Sequence, residues 1–351
     1  MSSSSATLAS VVEHAKSSLY FSAPVVADDL RTFRSQRDAC RTIGSTALAQ
    51  AKRVVLVGSG GSLASLQVAA GIYERILDIP TQVIAAADVT EREQRAMGPG
   101  TLLIASTYSG TTKDVLAAMR FAASRGAVVA SLVGRPDTPA QNEADHSICY
   151  DSIAIYELPV VALIWMLHGL ELDDAGRQLL AGISASVDEL PDILDKALAH
   201  EATAVETKAR QFLPAKHLYV LGAGPLSPLA YKVALTVVME NIRIGGTYID
   251  TYEFHHGPAE AMERNDLDMM FFIGTDASRE LALRTRKLCE NHGARVLSYD
   301  AADHDNLHPL LASLVTNSLV QWFVVYSAAL RGITDMDQHT FMGQPLPALA
   351  D

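Results

Sequence analysis

The chain has 351 residues, of which 49% are apolar and 19% are charged. At roughly 150 residues per domain this length predicts about two domains, and the composition excludes disordered, collagen-like and small disulfide-stabilised proteins. The formal net charge of −12 gives the chain no overall attraction to nucleic acid or to an anionic membrane surface. A small anionic ligand would therefore have to be held by local hydrogen-bond donors, against the overall field.

The cysteines and the apolar segments indicate a cytoplasmic protein. Cys40, Cys149 and Cys289 are far apart, odd in number and not in a metal-binding spacing, which is typical of reduced structural thiols. The polar residues 1–5 lack the basic and apolar regions of a secretory signal. The longest apolar run, residues 158–167, is too short to span a bilayer. We therefore expect neither export nor membrane insertion.

In chain order, the first elements predict an α/β lobe. After a helical segment over residues 1–40, a β-branched run at residues 53–57 enters the glycine cluster at residues 58–62 and is followed by a helix. Strands and helices then alternate at residues 81–86, 101–106, 114–124 and 127–133. This alternation predicts a doubly wound, flavodoxin-like parallel sheet.

The same order of elements begins again after a long helical stretch at residues 173–209. A strand at residues 217–221 enters a glycine turn, and the next helix, residues 228–243, ends at Gly245 and Gly246. The second lobe continues with strands at residues 268–274 and 295–299 and a final helix at residues 306–330.

The two glycine turns lie 164 residues apart, beginning at Gly58 and at Gly222. The chain is therefore predicted to contain two copies of one lobe, related by internal duplication. The predicted parts are a helical segment (1–40), a first lobe (41–172), a helical connection (173–213), a second lobe (214–334) and a C-terminal tail over the active site (335–351).

A loop rich in hydroxyl groups, residues 106–112, leaves one predicted strand and enters a helix. Backbone N–H groups at a helix N terminus and short hydroxyl donors suit a phosphate, and a glycine lets the backbone approach it closely. The donors and the glycine of this loop are Thr107, Ser109, Thr112 and Gly110. The alternative is that these residues only cap a helix and form a turn.

A second loop lies at the end of the neighbouring strand, where Ser62 follows Gly61 at the start of the first helix. Open α/β sheets bind ligands at the carboxyl ends of their strands, so two such loops favour an anion site over the capping alternative. Neither loop contains lysine or arginine, and the glycine patterns of dinucleotide and ATP sites are absent. The corresponding loop of the second lobe, residues 272–277, is more acidic, which favours one ligand site per chain.

Glu240 is the most unusual acidic residue of the chain. It shares a helix face with Thr236 and Val237 and lies in the last turn, where the helix dipole opposes a negative charge. An apolar face and the dipole both raise a carboxyl pKa toward the range useful for a general base. The alternative is a solvated glutamate at a helix end.

Two adjacent histidines, His255 and His256, lie in a loop before a helix that Pro258 is suited to begin. Imidazole titrates near neutral pH, and a loop at a helix start is a natural place for an acid–base residue. The histidines could also be incidental or bind a metal. No third ligand stands at a metal-binding spacing, so we expect no zinc.

These motifs resemble those of proteins with two sugar isomerase (SIS) domains, over residues 40–344. Examples are the isomerase half of glucosamine-6-phosphate synthase and the fructosamine-6-phosphate deglycases. Residues 58–62 match the family's first glycine–serine loop. Residues 107–112 match its Ser-x-Ser-Gly-x-Thr phosphate loop, with Thr107 in place of the first serine.

The resemblance implies roles for three further residues. Glu240 falls on the family's catalytic glutamate, and His256, 16 residues later, falls on its ring-opening histidine. Glu253 matches a family acid that either orients the substrate or holds the loop. In the family the histidine reaches the site from a neighbouring subunit, which implies a homodimer or a larger assembly. The chemistry requires no metal and no organic cofactor.

Departures from the synthase pattern narrow the expected reaction. The synthase has a lysine three residues before the glutamate and another in its tail, whereas this chain has Val237 and Gln344 there. A glutaminase domain does not precede the first lobe, so an amide-transferring synthase is not expected. The resemblance therefore implies a deglycase. Its substrate would be a fructosyl amino acid or amine with a phosphate on the 6-position of the sugar, which it would cleave to glucose 6-phosphate and free amine. The alternatives are an aldose–ketose isomerase, an aminosugar-phosphate deaminase and a non-catalytic sugar-phosphate-binding protein.

Overall fold

A computed structural model describes residues 8–91 and 94–342; the N-terminal residues 1–5 and Gln344 lie outside these ranges. The helices of the described part are α1 (Leu8–Ala15), α2 (Val26–Phe33), α3 (Arg37–Thr46), α4 (Gly60–Ile76), α5 (Asp88–Glu91), α6 (Lys113–Ser124), α7 (Pro139–Asn142), α8 (Glu157–Leu167), α9 (Asp174–Gln211), α10 (Ser227–Lys232), α11 (Arg279–Asn291) and α12 (Ala312–Leu330). A π-helix, Val233–Ile242, continues directly from α10.

The strands are β1 (Arg53–Gly58), β2 (Thr81–Ala85), β3 (Thr101–Thr107), β4 (Val128–Val133), β5 (His146–Cys149), β6 (His217–Gly222), β7 (Gly245–Asp250), β8 (Asp268–Ile273) and β9 (Arg295–Asp300). They form two sheets, in the orders β2-β1-β3-β4-β5 and β7-β6-β8-β9, and all neighbours pair in parallel. The second order repeats the first four strands of the first. This confirms the predicted pair of parallel α/β lobes related by duplication.

Helices cover the sheets and join the lobes. Every residue of β3 and of β8 is buried, because each strand is central in its sheet and covered on both faces. The long helix α9, which lies between the two sheets in the sequence, packs along α12. The segment Pro309–Leu330 is long and apolar enough to cross a membrane, but 83% of its apolar window is buried inside the protein, as in a core helix.

The helix that carries Glu240 ends at Ile242, within one residue of its predicted last residue, Arg243, and Gly245 and Gly246 are not part of its end. The two glycines instead begin β7, a strand that the sequence did not predict. A Cβ on Gly246 would lie 2.2 Å from the carbonyl oxygen of Ala234, so only glycine allows β7 to pack this closely against the helix.

Two other elements differ from expectation. The last helix begins at Ala312, later than predicted, because Pro309 first forms a short 3-10 turn. The helix α8 was not predicted: all of its residues are buried, so it has no polar face and shows no amphipathic period. The sheets lie within the predicted lobes, whose bounds remain predictions. All three cysteines, which lie in the described ranges, are free thiols.

Candidate active site

The two hydroxyl-rich loops lie at the same edge of the first sheet. β1 ends at Gly58 and β3 ends at Thr107, and the two strands pair in parallel with Val57 opposite Ala105. The carboxyl ends of parallel strands share one edge of a sheet. The loop before α4 and the loop before α6 are therefore neighbours.

Hydroxyl groups converge within the loop before α6. The Oγ1 atoms of Thr107 and Thr112 are 3.0 Å apart across the loop, and Ser109 Oγ accepts a hydrogen bond of 3.2 Å from the Thr111 N–H. Thr112 occupies the N-cap position of α6 without a side-chain capping bond. The first N–H groups of a helix have no intrahelical partner, so this arrangement leaves them for a ligand rather than for the Thr112 side chain.

Glycines determine the backbone of both loops. Gly60 and Gly110 have φ angles of +55° and +64°, a region that strongly favours glycine. A Cβ on Gly110 would lie only 2.2 Å from the side chain of Thr138, so the close approach also requires glycine. Gly61 and the buried Ser62 follow in the first turn of α4.

The helix of the second lobe that carries Glu240 packs onto this glycine loop. A Cβ on Gly61 would lie 3.5 Å from Cε of Lys232, and one on Gly60 would lie 3.9 Å from the methyl group of Thr236. Thr236 precedes Glu240 by about one helical turn. The fold thus brings the elements of the predicted base and of the predicted anion loop into contact.

Glu240 is largely shielded from solvent, with 17% of its side chain exposed. Burial raises the pKa of its carboxyl group, and a hydrogen bond from Tyr20 and the charges of His339 and Lys232 partly offset that rise. The Nε2 atom of His339 lies 3.7 Å from Glu240 Oε1. A shielded carboxylate with a raised pKa can accept a proton from a substrate near neutral pH.

A buried polar cluster links the glycine loop to the rest of the core. Lys232 Nζ donates to Asn317 Oδ1 at 2.6 Å, and Asn317 Nδ2 donates to Glu157 Oε1 at 2.7 Å. Burial lowers the pKa of Lys232 to about 8 and raises the pKa of Glu157. Asn317 therefore connects a buried ammonium group to a buried carboxyl group.

The other two predicted site residues lie elsewhere on the second lobe. His256 and Glu253 are exposed, in the segment before the 3-10 turn Pro258–Arg264. In the described part of the chain, no side-chain hydrogen bond or ion pair joins either residue to Glu240. Over the same ranges, no group of three His, Cys, Asp or Glu side chains forms a metal-binding cluster.

Sequence reasoning missed four residues of the site region: Tyr20, Arg135, Lys232 and His339. Arg135 lies over the ring of Tyr108, with its Cζ 4.8 Å from the ring centroid, and so brings a positive charge to the hydroxyl-rich loop before α6. Lys232 could have been noticed, since it is the one charged residue besides Glu240 in a mainly apolar helix. Tyr20 and His339 gave no local signal, because they reach Glu240 from the two ends of the chain.

Comparison with known proteins finds a domain and a fold that this chain shares with them. Residues 47–164 match the SIS domain. The chain is 16% identical to the solved tagatose-6-phosphate ketose/aldose isomerase from Escherichia coli, with a TM-score of 0.72 over 97% of this chain and 99% of that one. Residues 47–164 therefore form an SIS domain, the two parallel α/β lobes match the fold of that solved structure, and the chain resembles the enzymes that carry SIS domains.

The relatives found by sequence carry more specific names than the domain does. The chain is 26% identical over 279 residues to the fructoselysine 6-phosphate deglycase of Escherichia coli strain K12, covering 78% of this chain and 81% of the relative. It is 25% identical over 282 residues to the fructosamine deglycase FrlB of Bacillus subtilis strain 168, covering 76% and 84%. Within the SIS family, the chain thus resembles deglycases.

Proposed function

We propose that the protein is a cytoplasmic deglycase that cleaves a 6-phosphorylated fructosyl amino acid or amine, an Amadori compound, to glucose 6-phosphate and free amine. One observation carries the proposal: the helix with the shielded Glu240 packs directly onto the glycine loop beside the phosphate loop. The deglycase relatives support the substrate class.

Substrate binding follows from the two loops. The phosphate is held by the hydroxyl and backbone donors of Gly61, Ser62, Thr107, Ser109, Gly110 and Thr112. His256 of a neighbouring subunit assists opening of the sugar ring, and Glu253 orients either the substrate or the loop.

Glu240 then acts as the base. It removes a proton from C1, the C1–H electron pair forms the C1=C2 bond of an enaminol, and the C2 oxygen takes up a proton. Protonation at C2 turns the enaminol into an imine between C1 and nitrogen. Water adds to C1, the C1–N bond breaks, and glucose 6-phosphate and the amine leave. The substrate already has nitrogen on C1, so the reaction needs no Schiff-base lysine at the position of Gln344.

The test is to incubate pure protein with a panel of 6-phosphofructosyl amino acids and amines and to measure glucose 6-phosphate and amine release. Unphosphorylated analogues determine whether the phosphate is required, and fructose 6-phosphate is the isomerase control. We expect stoichiometric release of both products from at least one phosphorylated compound. If the protein converts fructose 6-phosphate and none of the fructosyl compounds, the deglycase proposal is contradicted and an isomerase is favoured.

A further inference from the structure

A C-terminal segment crosses the predicted base and is fixed on both sides. Asp337 accepts hydrogen bonds from Ser18 Oγ at 2.8 Å and from the Leu19 N–H at 3.2 Å. The next residue, Gln338, accepts a hydrogen bond of 2.7 Å from Arg243 at the end of the π-helix. These bonds hold the segment between the N-terminal region and the helix of Glu240.

The anchored segment places His339 beside Glu240. His339 Nε2 is 3.7 Å from Glu240 Oε1, and only 13% of the His339 side chain is exposed. Neither of these two buried atoms has a hydrogen-bond partner among the described residues. The ring of Tyr20 meets the imidazole edge to face, with centroids 5.2 Å apart. A small movement would therefore bring the imidazole and the carboxylate into a hydrogen bond.

We propose that His339 is a positioning residue for Glu240: the imidazole fixes the orientation of the carboxylate and, when protonated, keeps it ionised in its shielded position. This inference rests on the proposed function of Glu240 as the base. It assigns a role to a residue that lies 99 positions after Glu240 and outside both hydroxyl loops.

The charges around Glu240 decide what His339 contributes. Tyr20 faces the carboxylate from the N-terminal region, Lys232 from the start of its own helix and His339 from the C-terminal segment. Lys232 is already bonded to Asn317, and Tyr20 is a neutral donor whose pKa is raised by burial and by Glu240. His339 is thus the group that can place a positive charge at the unpartnered Oε1 atom. Opposite charges at this distance favour the ionised carboxylate.

The experiment is a ¹³C NMR titration of the Glu240 carboxyl group in protein with labelled glutamate. The signal is assigned by its loss in Glu240→Gln. In His339→Asn the titration midpoint of Glu240 is expected to move to higher pH, because a positive neighbour is removed. Asp337→Asn, which weakens the anchor at Ser18 and Leu19, is expected to move it in the same direction by less. His292→Asn, at an exposed histidine, is the control and should leave the midpoint unchanged.

Kinetics give a second measurement. With a substrate found active for the wild type, His339→Asn should lower kcat at neutral pH by roughly tenfold or more and move the acid limb of kcat to higher pH, with KM little changed. A merely structural role would instead reduce the folded fraction and leave the acid limb in place.

The outcomes separate the two proposals. An unchanged Glu240 midpoint in both His339→Asn and Asp337→Asn overturns the role of His339, whatever the wild type does with fructosyl substrates. If the Glu240 midpoint moves in His339→Asn while the wild-type protein cleaves none of the panel, the pairing of His339 and Glu240 is supported and the deglycase proposal is overturned.

Discussion

Glu240 lies where burial opposes ionisation and three neighbours favour it. The first effect is the larger, so the pKa of the carboxyl group lies above its ordinary value. The neighbours offset part of the effect of burial on that pKa. A carboxyl group held in this balance is suited to take a proton from carbon and to return it.

Replacement of Glu240 by glutamine keeps the shape of the side chain and removes the base. We expect Glu240→Gln to lower kcat by about a hundredfold or more with an unchanged melting temperature. Glucose 6-phosphate release and thermal unfolding are the measurements. Glu260→Gln, at an exposed glutamate of the second lobe, is the matched control. A variant with wild-type kcat would remove Glu240 from the mechanism.

The raised pKa of Glu240 predicts the acid side of the pH profile. The base works only when ionised, so kcat/KM falls as pH drops through its pKa. Because burial raises that pKa above 4.5, the fall is expected at a pH above 4.5. The measurement is kcat/KM across the acid range, corrected for the titration of the substrate phosphate, with stability checked at each pH. An acid limb at or below pH 4.5 contradicts the shielding of Glu240.

Ser109 tests the phosphate loop. Its hydroxyl is partly exposed and bonded only to Thr111 within the loop, so its loss removes a ligand donor without opening a core cavity. We expect Ser109→Ala to raise KM more than it lowers kcat, because the phosphate is remote from the bonds that react. Ser124→Ala, at the end of α6, is the control. An effect on kcat alone would place Ser109 nearer to the reacting carbon.

At the level of elements, the π-helix Val233–Ile242 is the decisive feature. Thr236 and Glu240 lie about one turn apart on it and so share one side of the helix, and Thr236 meets Gly60 of the first lobe. A π-helix of this kind is rare and is often found at functional sites. It allows one element to contact Gly60 and still carry Glu240 toward Tyr20 and His339.

The helix α12 contacts the residue just before the π-helix, because Asn317 of α12 accepts a hydrogen bond from Lys232. Asn317→Leu would leave the buried Lys232 and Glu157 without their shared partner, which is expected to lower the free energy of unfolding by about 2–4 kcal/mol. Denaturant unfolding measures the change. Ser327→Ala on the same helix removes a buried hydroxyl that has no partner among the described residues, and should change stability by less than about 1 kcal/mol. Equal effects of the two variants would contradict the role of the cluster.

At the level of the whole molecule, the exposed position of His256 bears on assembly. If His256 acts in the site of a neighbouring subunit, Glu240→Gln and His256→Ala are each inactive alone, but a mixed dimer contains one intact site. Random mixing of equal amounts should restore about a quarter of wild-type activity in a symmetric dimer. The measurement is activity after co-refolding or subunit exchange. No recovery in demonstrated mixed dimers would contradict a shared site.

The overall charge of −12 also has a different meaning once the fold is known. The sequence predicts that the two loops hold an anion with hydroxyl groups and helix N termini. The fold adds Lys232 beside Gly61 and Arg135 beside Tyr108, two positive charges that the loop motifs do not contain. The local field at the site therefore differs from the field of the whole chain.

The sequence by itself determined the two parallel lobes, most strand positions and both hydroxyl loops. These features depend on residues that are close in the chain: a β-branched run, a glycine turn and an apolar helix face are local patterns. The second strand order repeats the first for the same reason, since the same local pattern occurs twice.

Only the tertiary structure decided what surrounds Glu240. The π-helix and β7 depend on packing between Gly246 and Ala234, and α8 is hidden from periodicity because it is buried on every side. Tyr20 lies 220 residues before Glu240 and His339 lies 99 residues after it, and Lys232 meets Asn317 across 85 residues. Contacts of this kind depend on how surfaces that are distant in the sequence pack together, and local sequence patterns do not predict them. The side chains that shift the pKa of Glu240 are therefore identified only from the tertiary structure.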